Sequence, residues 1–342
     1  MIRIGVLTFQ NANSMGAVSQ TYALQETLRK LGAEVHIINY ASPYMQLQAR
    51  QTCRFKEFTE KYLYLTPLYK SGEEIDCSQF DEIIVGSDQV WNPILTNYDN
   101  TYFLDFAGPE IVKVAYAASV GINTFPEGSF REPFEKYVQC FDAISVRESV
   151  HMQSVMQYAQ CPVLHTLDPT LLLSGEEYTS AFALGESDEE YIFLYQIGMN
   201  SKLLDYANII ALQYNCKLIA YTKYGGGCYV VQGTKVFFDI TPEQWLEYIK
   251  NAKLVLTDSY HGMNLSIIFQ RPFYILTEVT YNMVRILDSL TQLKLGNRRL
   301  SQLSDVRDVN FTIDYAEANK ILEAGKEESL AFLKVVATLT EE

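Results

Sequence analysis

The sequence has little positive charge, no long hydrophobic run and only four histidines. Lysine and arginine number 27 against 41 aspartates and glutamates, which gives a formal net charge of −14 at pH 7. So acidic a chain is repelled by nucleic acid and by anionic membranes, which excludes a non-specific binder of either. No apolar stretch approaches the roughly 18 residues that a membrane span needs. Any anionic ligand must therefore be held by a local group of cations and backbone amides.

The cysteines and the N-terminus lack the patterns of zinc-binding and secreted proteins. No two of the six cysteines form a CxxC pair or another zinc-like spacing, so we expect free, reduced thiols and no metal. The first nine residues have the pattern of a strand and are too short for a signal peptide. We therefore expect a cytoplasmic protein.

Strand-like and helix-like segments alternate along both halves of the chain. Apolar runs typical of buried parallel strands occur at 2–9, 34–39, 82–85, 112–118, 143–146, 163–167, 191–196, 217–221, 253–257 and 273–276. The alternation predicts an α/β protein of two Rossmann-like domains with parallel sheets, facing each other across a cleft. We place the first domain at 1–170, the second at 171–311 and a helical tail at 312–342.

The junction after residues 254–257 is the most informative part of the chain. An apolar strand runs directly into Asp258-Ser-Tyr-His-Gly262, and an apolar helix follows. In an open α/β sheet this junction lies at the carboxyl edge, where ligands bind. Ser259 is placed to cap the helix, whose first amides and positive dipole end favour phosphate or carboxylate. The pattern predicts an anion site with His261 at its mouth.

Four more polar clusters follow predicted strands, at 10–16, 86–93, 119–121 and 147–149. Each alone is a weak signal, since Ser, Asp and Gly often cap strand-to-helix turns. The carboxyl ends of parallel strands meet at one edge of a sheet, so their joint placement favours a binding function.

Six ordered segments of the chain resemble the polysaccharide pyruvyl transferase family. Residues 11–25 are similar to the family's opening segment NxxNYGAVLQAYALQ, and residues 86–92 read GSDQVWN, as in the family. The remaining segments are 115–121, 144–148, 168–170 and 257–262. The resemblance implies a GT-B-like fold and transfer of an enolpyruvyl group from phosphoenolpyruvate to a pair of sugar hydroxyls. The product that the resemblance implies is a pyruvate ketal in a surface polysaccharide, and we expect no cofactor.

The chemistry of phosphoenolpyruvate assigns candidate roles within these segments. Its phosphate and carboxylate need several cations and amides, so we predict that the donor is bound by Arg147, Ser259, His261, Gly262 and Arg285. The reaction needs an acid for the enol methylene and a base for the acceptor, for which we predict His261, Asp88 and Asp258. The residues predicted to contact the acceptor are Asn11, Asn13, Gln20, Ser87, Gln89 and Trp91. Since such acceptors are carried on lipid, we expect transient contact with the inner membrane face.

Structural roles remain open for several of these residues. His261 and Asp88 have residue types that also cap helices or satisfy loop amides. Arg147 precedes a glutamate and is compatible with an ordinary ion pair at a helix start. Trp91 is compatible with sealing the 43–80 insertion, and the asparagines with capping of loops.

Two other functions also remain open. A glycosyltransferase that uses a nucleotide-sugar has the same two-domain architecture, but it needs a base-and-ribose site, for which the sequence offers no clear candidate. The presence of Arg147 and His261 opposes a non-catalytic sugar-binding relative. The sequence does not specify which sugar accepts the group.

Overall fold

The computed structural model describes residues 1–42, 44, 52–122, 130–198, 202–222, 234–276 and 283–336. The chain forms two compact units, Met1–Leu172 with Glu323–Glu342, and Leu173–Leu322. The predicted boundary after residue 170 lies two residues before this division. The predicted tail at 312–342 is divided between the two units rather than set apart from both. In the described part of the chain, no helix is long and apolar enough to cross a bilayer.

The first unit is built on a parallel sheet with the strand order β2-β1-β3-β4-β5-β6. Its strands are β1 (Arg3–Leu7), β2 (Glu34–Ile37), β3 (Glu82–Val85), β4 (Val112–Ala118), β5 (Ala143–Val146) and β6 (Val163–His165). Both faces of this sheet are buried, because Ile83 and Val85 join one apolar cluster while Ile84 joins another. Burial on both faces explains why these strands read as continuous apolar runs.

Helices cover both faces of the first sheet. They are α1 (Met15–Lys30), α2 (Cys53–Tyr62), α3 (Pro93–Thr96), α4 (Arg131–Val138) and α5 (Ser149–Met156). The long helix near the C-terminus, which spans Ala316–Val336, returns to this unit and contributes Phe332, Leu333 and Val336 to the second apolar cluster.

The second unit repeats the arrangement with a parallel sheet in the order β12-β11-β10-β7-β8-β9. Its strands are β7 (Tyr191–Gln196), β8 (Lys217–Thr222), β9 (Lys235–Phe237), β10 (Leu254–Thr257), β11 (Phe273–Leu276) and β12 (Arg299–Leu300). Its helices are α6 (Gly175–Phe182), α7 (Lys202–Gln213), α8 (Pro242–Asn251), α9 (Tyr260–Ile268), α10 (Val284–Gln292) and the start of α11 (Ala316–Val336).

The predicted α/β class with two parallel, Rossmann-like sheets is confirmed. Five strands lie at the residues predicted for them, namely 82–85, 112–118, 143–146, 191–196 and 273–276. The short strands β9 and β12 were not predicted, because two or three residues carry too little periodicity to stand out.

Glu82 is an ionisable group at the start of a fully buried strand. Its side chain is inaccessible to solvent, and neither carboxyl oxygen has a hydrogen-bond partner. Burial, and secondarily the negative charge of Asp142, raises the pKa of Glu82 to about 8. Glu82 is therefore protonated in the folded protein at neutral pH.

We predict that Glu82→Gln removes a pH dependence of stability. The folded state binds the Glu82 proton more tightly than the unfolded state, whose carboxyl has the ordinary pKa of about 4.5. Wild-type stability therefore falls as the pH rises from about 4.5 to 8. Urea unfolding at several pH values should show that the free energy of unfolding of the variant, relative to that of the wild type, rises over this range by roughly 2 kcal/mol or more.

The matched control is Glu57→Gln, which changes an exposed glutamate on α2. Its stability should run parallel to that of the wild type across the same pH range. If the Glu82→Gln profile ran parallel as well, Glu82 would not be protonated in the folded protein.

Candidate functional site

The carboxyl edge of the second sheet has a topological switch point between β7 and β10. These two strands are neighbours, while β8 and β9 continue to one side and β11 and β12 to the other. Loops that leave such neighbouring strands in opposite directions open a crevice, which is where ligands bind in α/β sheets. The chain at 258–262 leaves β10 at this point.

Helix α9 begins at the switch point with the predicted cap. Ser259 has extended backbone geometry, and its hydroxyl accepts the amide of Gly262 at 3.2 Å. His261 lies in the first turn, with its ring edge-to-face against Tyr260 at 5.4 Å between centroids. The partly exposed Arg285 of α10 places its guanidinium carbon 5.9 Å from the Tyr260 ring centroid. Histidine, arginine and the positive end of a helix thus lie in one part of the second unit.

Asp258 ties together the two loops at the switch point. Its two carboxylate oxygens accept the amides of Ile197 at 2.8 Å and of Gly198 at 2.7 Å. Burial raises the pKa of Asp258, and the two amide hydrogen bonds oppose that shift. These bonds fix the chain after β7 rather than the imidazole of His261, so the structure assigns Asp258 a positioning contact.

Gly262 has a packing role that the sequence did not reveal. A Cβ atom at this position would lie 2.8 Å from Thr257 Oγ1 and 3.1 Å from Tyr195 Cδ1. Only glycine lets α9 approach the sheet this closely. The Gly262 amide already donates to Ser259, which corrects the prediction that this amide is available to bind phosphate.

The corresponding edge of the first sheet is organised around a buried arginine. Arg147, directly after β5, has a fully buried guanidinium whose Nη1 donates to Asp168 Oδ2 at 2.8 Å. Its Nε donates to Glu148 Oε1 at 3.2 Å, and its Nη2 lies 3.6 Å from Asp88 Oδ1. Glu148 also lies 3.5 Å from the ring of His151. The predicted bidentate clamp on the donor is thus engaged by carboxylates of the protein, which corrects the expectation of an open cation.

Among the three carboxylates around Arg147, Asp88 has the greatest contact with solvent. The exposed side-chain fraction is 10% for Asp88, 1% for Glu148 and 0% for Asp168. Asp88 has a positive φ of 78° and accepts the amide of Gln89 at 2.8 Å. Backbone in this sparsely populated region is often found at functional sites. This geometry is compatible with the predicted role of Asp88 as a base.

Three predicted acceptor contacts are wrong, because their side chains are fully buried. Gln20 donates to the hydroxyl of Thr8 at 2.8 Å. The Ser87 hydroxyl donates to the Ala117 carbonyl at 3.0 Å and to Asp168 at 3.4 Å.

Trp91, the third of these residues, lies in the core. Its Nε1 donates to the Tyr102 carbonyl at 3.2 Å, and its ring stacks on Phe103 with 5.8 Å between centroids. The indole therefore offers no face to a sugar, and its ring packs on Phe103, Phe134 and Phe141, which lie outside the 43–80 insertion.

The other three predicted acceptor residues are partly exposed. Asn11 Nδ2 donates to the Tyr40 carbonyl at 2.9 Å, and Asn13 Oδ1 accepts the amide of Thr52 at 2.8 Å. The side-chain oxygen of Gln89 accepts from Asn92 Nδ2 at 2.9 Å. All three brace loops at the carboxyl edge of the first sheet, and contact with the acceptor stays a prediction for them.

The sequence did not single out Asp168 for a role, although it anchors Arg147. Asp168 also caps the short 3-10 helix Pro169–Leu171 by accepting the Thr170 amide at 3.0 Å. In the sequence, Asp168 is followed by a proline after a predicted strand, and this pattern indicates a helix cap. It gives no sign of the ion pair with Arg147, which lies 21 residues earlier in the chain.

Comparison with protein families matches residues 15–278 to the model described as polysaccharide pyruvyl transferase. The match spans more than half of the chain. The chain belongs to the polysaccharide pyruvyl transferase family. Comparison with curated proteins gives no match.

Solved structures show what this family member's fold is similar to. The UDP-GlcNAc 2-epimerase of Methanocaldococcus jannaschii has a TM-score of 0.52 at 13% identity, covering 94% of this chain and 98% of its own. The UDP-N-acetylglucosamine 2-epimerase of Rickettsia bellii has a TM-score of 0.52 at 11% identity, covering 99% of each chain. The S. aureus MnaA–UDP structure reaches 0.55 at 10% identity, covering 96% and 97%. At such low identity the likeness establishes the fold alone, which is GT-B-like.

We predict that Asp168→Ala destabilises this pyruvyl transferase family member strongly. Removing one partner leaves part of a buried positive charge uncompensated, which costs about 3–5 kcal/mol. Chemical denaturation should measure this loss. The control Glu135→Ala breaks the exposed Arg131–Glu135 pair and should cost less than about 1 kcal/mol. Equal effects of the two variants would contradict the organising role of the Arg147 cluster.

Proposed function

We propose that the protein transfers an enolpyruvyl group from phosphoenolpyruvate to two hydroxyls of a sugar acceptor, producing a pyruvate ketal and inorganic phosphate. The family match supports transferase chemistry on a polysaccharide. The observation that carries the proposal is the placement of His261 in the first turn of the Ser259-capped helix, at the switch point of the second sheet.

The reaction requires two additions at C2 of the donor. A proton goes to the methylene carbon, which becomes a methyl group, and the first sugar hydroxyl attacks C2 and loses its proton to a base. The bond between C2 and the phosphate oxygen then breaks, and inorganic phosphate leaves. The second hydroxyl attacks the same carbon, gives up its proton to restore the acid, and closes the ketal ring. Electrons balance without any oxidant, and no metal is needed for phosphate to depart.

The second unit supplies the groups suited to the donor in this proposal. An imidazole transfers protons near neutral pH, so His261 is the proposed acid for the methylene carbon. The positive end of α9 and the guanidinium of Arg285 suit an anion with a phosphate and a carboxylate. Local cations of this kind are needed because the chain as a whole has a formal net charge of −14.

The first unit supplies the proposed base. Asp88 keeps 10% of its side chain exposed, and the Arg147 guanidinium lies 3.6 Å from its Oδ1. Arg147 then acts as a positioning residue for the proposed base. A sugar carried on lipid is the proposed acceptor.

We predict that His261→Ala lowers the rate of pyruvyl transfer by about 100-fold or more, the contribution typical of a general acid. The assay incubates the protein with phosphoenolpyruvate and a panel of glycosides, and follows released phosphate and the mass gain of the ketal. The control His36→Ala changes a partly exposed histidine on β2 and should retain wild-type activity. Near wild-type transfer by His261→Ala would overturn the site assignment.

We predict that Arg285→Ala raises KM for phosphoenolpyruvate about tenfold or more, with a smaller change in kcat. Loss of one charge-assisted contact to the donor is the physical reason. Arg307→Ala, which removes an exposed arginine of the same unit, is the matched control and should leave KM unchanged.

Calorimetric titration with phosphoenolpyruvate and with UDP-GlcNAc distinguishes the two classes of donor. Binding of the nucleotide-sugar alone would favour a glycosyltransferase instead.

A further inference from the structure

A cavity in the first unit lies outside the donor groups described above. Its volume is about 590 Å³, within the range of roughly 300–1,000 Å³ usual for small-molecule sites. We call it the Tyr40 cavity; the lining residues that matter here are Tyr40, Lys70, Asp99, Thr101, Asp105 and Phe106. Tyr40 follows β2, so this wall lies at the carboxyl end of the sheet, the edge where α/β proteins bind ligands.

Hydroxyl and carboxylate groups of the Tyr40 cavity are held in fixed orientations. The Tyr40 hydroxyl donates to Asp99 Oδ2 at 2.6 Å, and the Thr101 hydroxyl donates to the Tyr40 oxygen at 3.3 Å. The second oxygen of Asp99 accepts the Thr101 amide at 3.0 Å. Preorganised groups of this kind suit a ligand that offers several hydroxyls.

The charge of the Tyr40 cavity disfavours an anionic ligand. Among the described residues that line it, Asp99, Asp105 and Glu73 face one lysine, Lys70. Desolvation in the cavity, and secondarily the negative charge of Asp99, raises the pKa of Asp105. A further negative charge would be repelled, so phosphoenolpyruvate does not fit this environment. Neutral polyhydroxyl groups and amines do fit it.

Aromatic side chains supply the apolar part of the cavity wall. Phe106 and Tyr44 both line it and are partly exposed. Ring faces beside carboxylates match a sugar, which has an apolar face of C–H groups and a rim of hydroxyls. Pockets of this composition orient a ligand through few polar contacts while aromatic surface supplies contact area.

The segments predicted to serve the acceptor brace the walls of this cavity from behind. Asn11 and Gln10 both donate to the Tyr40 carbonyl, at 2.9 Å and 3.1 Å. Trp91 donates to the carbonyl of Tyr102, whose ring packs edge-on against Tyr40 at 5.9 Å between centroids.

The same segment also shapes the cavity through helix α3. Asn92 caps this helix by accepting the Ile94 amide at 3.0 Å. The C-terminal end of α3, at Thr96 and Asn97, lines the cavity. Two separate parts of the sequence, 10–11 and 91–92, thus converge on one wall, although neither presents its own side chains as a sugar-binding face.

We propose that the Tyr40 cavity binds a neutral or amino sugar unit of the acceptor glycan, with Asp105 contacting its hydroxyls, Phe106 its apolar face, and Tyr40 orienting Asp99 in the wall. This inference rests on the proposed function for the identity of the ligand as an acceptor. Sugar binding in the cavity requires neither phosphoenolpyruvate nor pyruvyl transfer. A binding experiment without phosphoenolpyruvate therefore tests this inference separately from the proposed function.

The test is saturation-transfer NMR with the full chain and no phosphoenolpyruvate. The probes are methyl glycosides and disaccharides of neutral hexoses and hexosamines, with glucose 6-phosphate as the anionic comparison. We expect neutral or amino sugars to bind and glucose 6-phosphate to bind at least tenfold more weakly. Asp105→Asn and Tyr40→Phe should each weaken sugar binding at least tenfold. The first removes the charge of the proposed contact, and the second releases Asp99 from its hydrogen bond; both keep the approximate size of the side chain.

Glu132→Gln, which changes an exposed carboxylate of α4, should leave sugar binding unchanged. Thermal melts of each variant establish that it is folded, and Tyr40→Phe retains the ring that packs on Tyr102. Failure of the whole panel to bind, tightest binding by glucose 6-phosphate, or unchanged affinity in both cavity variants would overturn the inference. Sugar binding that is lost in these variants without any pyruvyl transfer would overturn only the proposed function.

Discussion

One buried guanidinium constrains the carboxyl edge of the first sheet. Arg147 leaves β5, yet its partners leave β3, β6 and the turn next to it, as Asp88, Asp168 and Glu148. A buried charge is tolerated only when its donors meet well-placed acceptors, so these loops are fixed relative to one another. Of the three carboxylates, that of Asp88 keeps the largest exposed fraction, 10% of its side chain. Stability and placement of a candidate base therefore depend on a single residue.

The two units place opposite charges at their sheet edges. The first unit surrounds its arginine with carboxylates and lines the Tyr40 cavity with more of them. The second unit places His261 and Arg285 beside the positive end of a helix. The proposed reaction has an anionic donor and a hydroxyl-rich acceptor, and the proposal assigns one of these environments to each.

Much of the fold was predictable from the sequence, because buried parallel strands and capped helices leave local signals. The apolar run at 254–257 followed by Ser259 predicted both a strand and a cap, and both exist. Side-chain roles were less predictable. Gln20 and Trp91 look like sugar-binding residues in sequence, and only the tertiary structure shows both fully buried. The partnership of Arg147 with Asp168 joins two strands, so no local pattern encodes it.

Two residues predicted to contact the acceptor, Asn11 and Trp91, lie behind the wall of the Tyr40 cavity and not in it. Asn11 and Trp91 act through backbone carbonyls of Tyr40 and Tyr102, so their side chains determine the shape of a wall rather than contact a ligand. A carbonyl accepts a hydrogen bond only from a donor at the correct distance and angle. Replacing Asn11 or Trp91 would therefore disturb the wall of the cavity without removing a group that faces it.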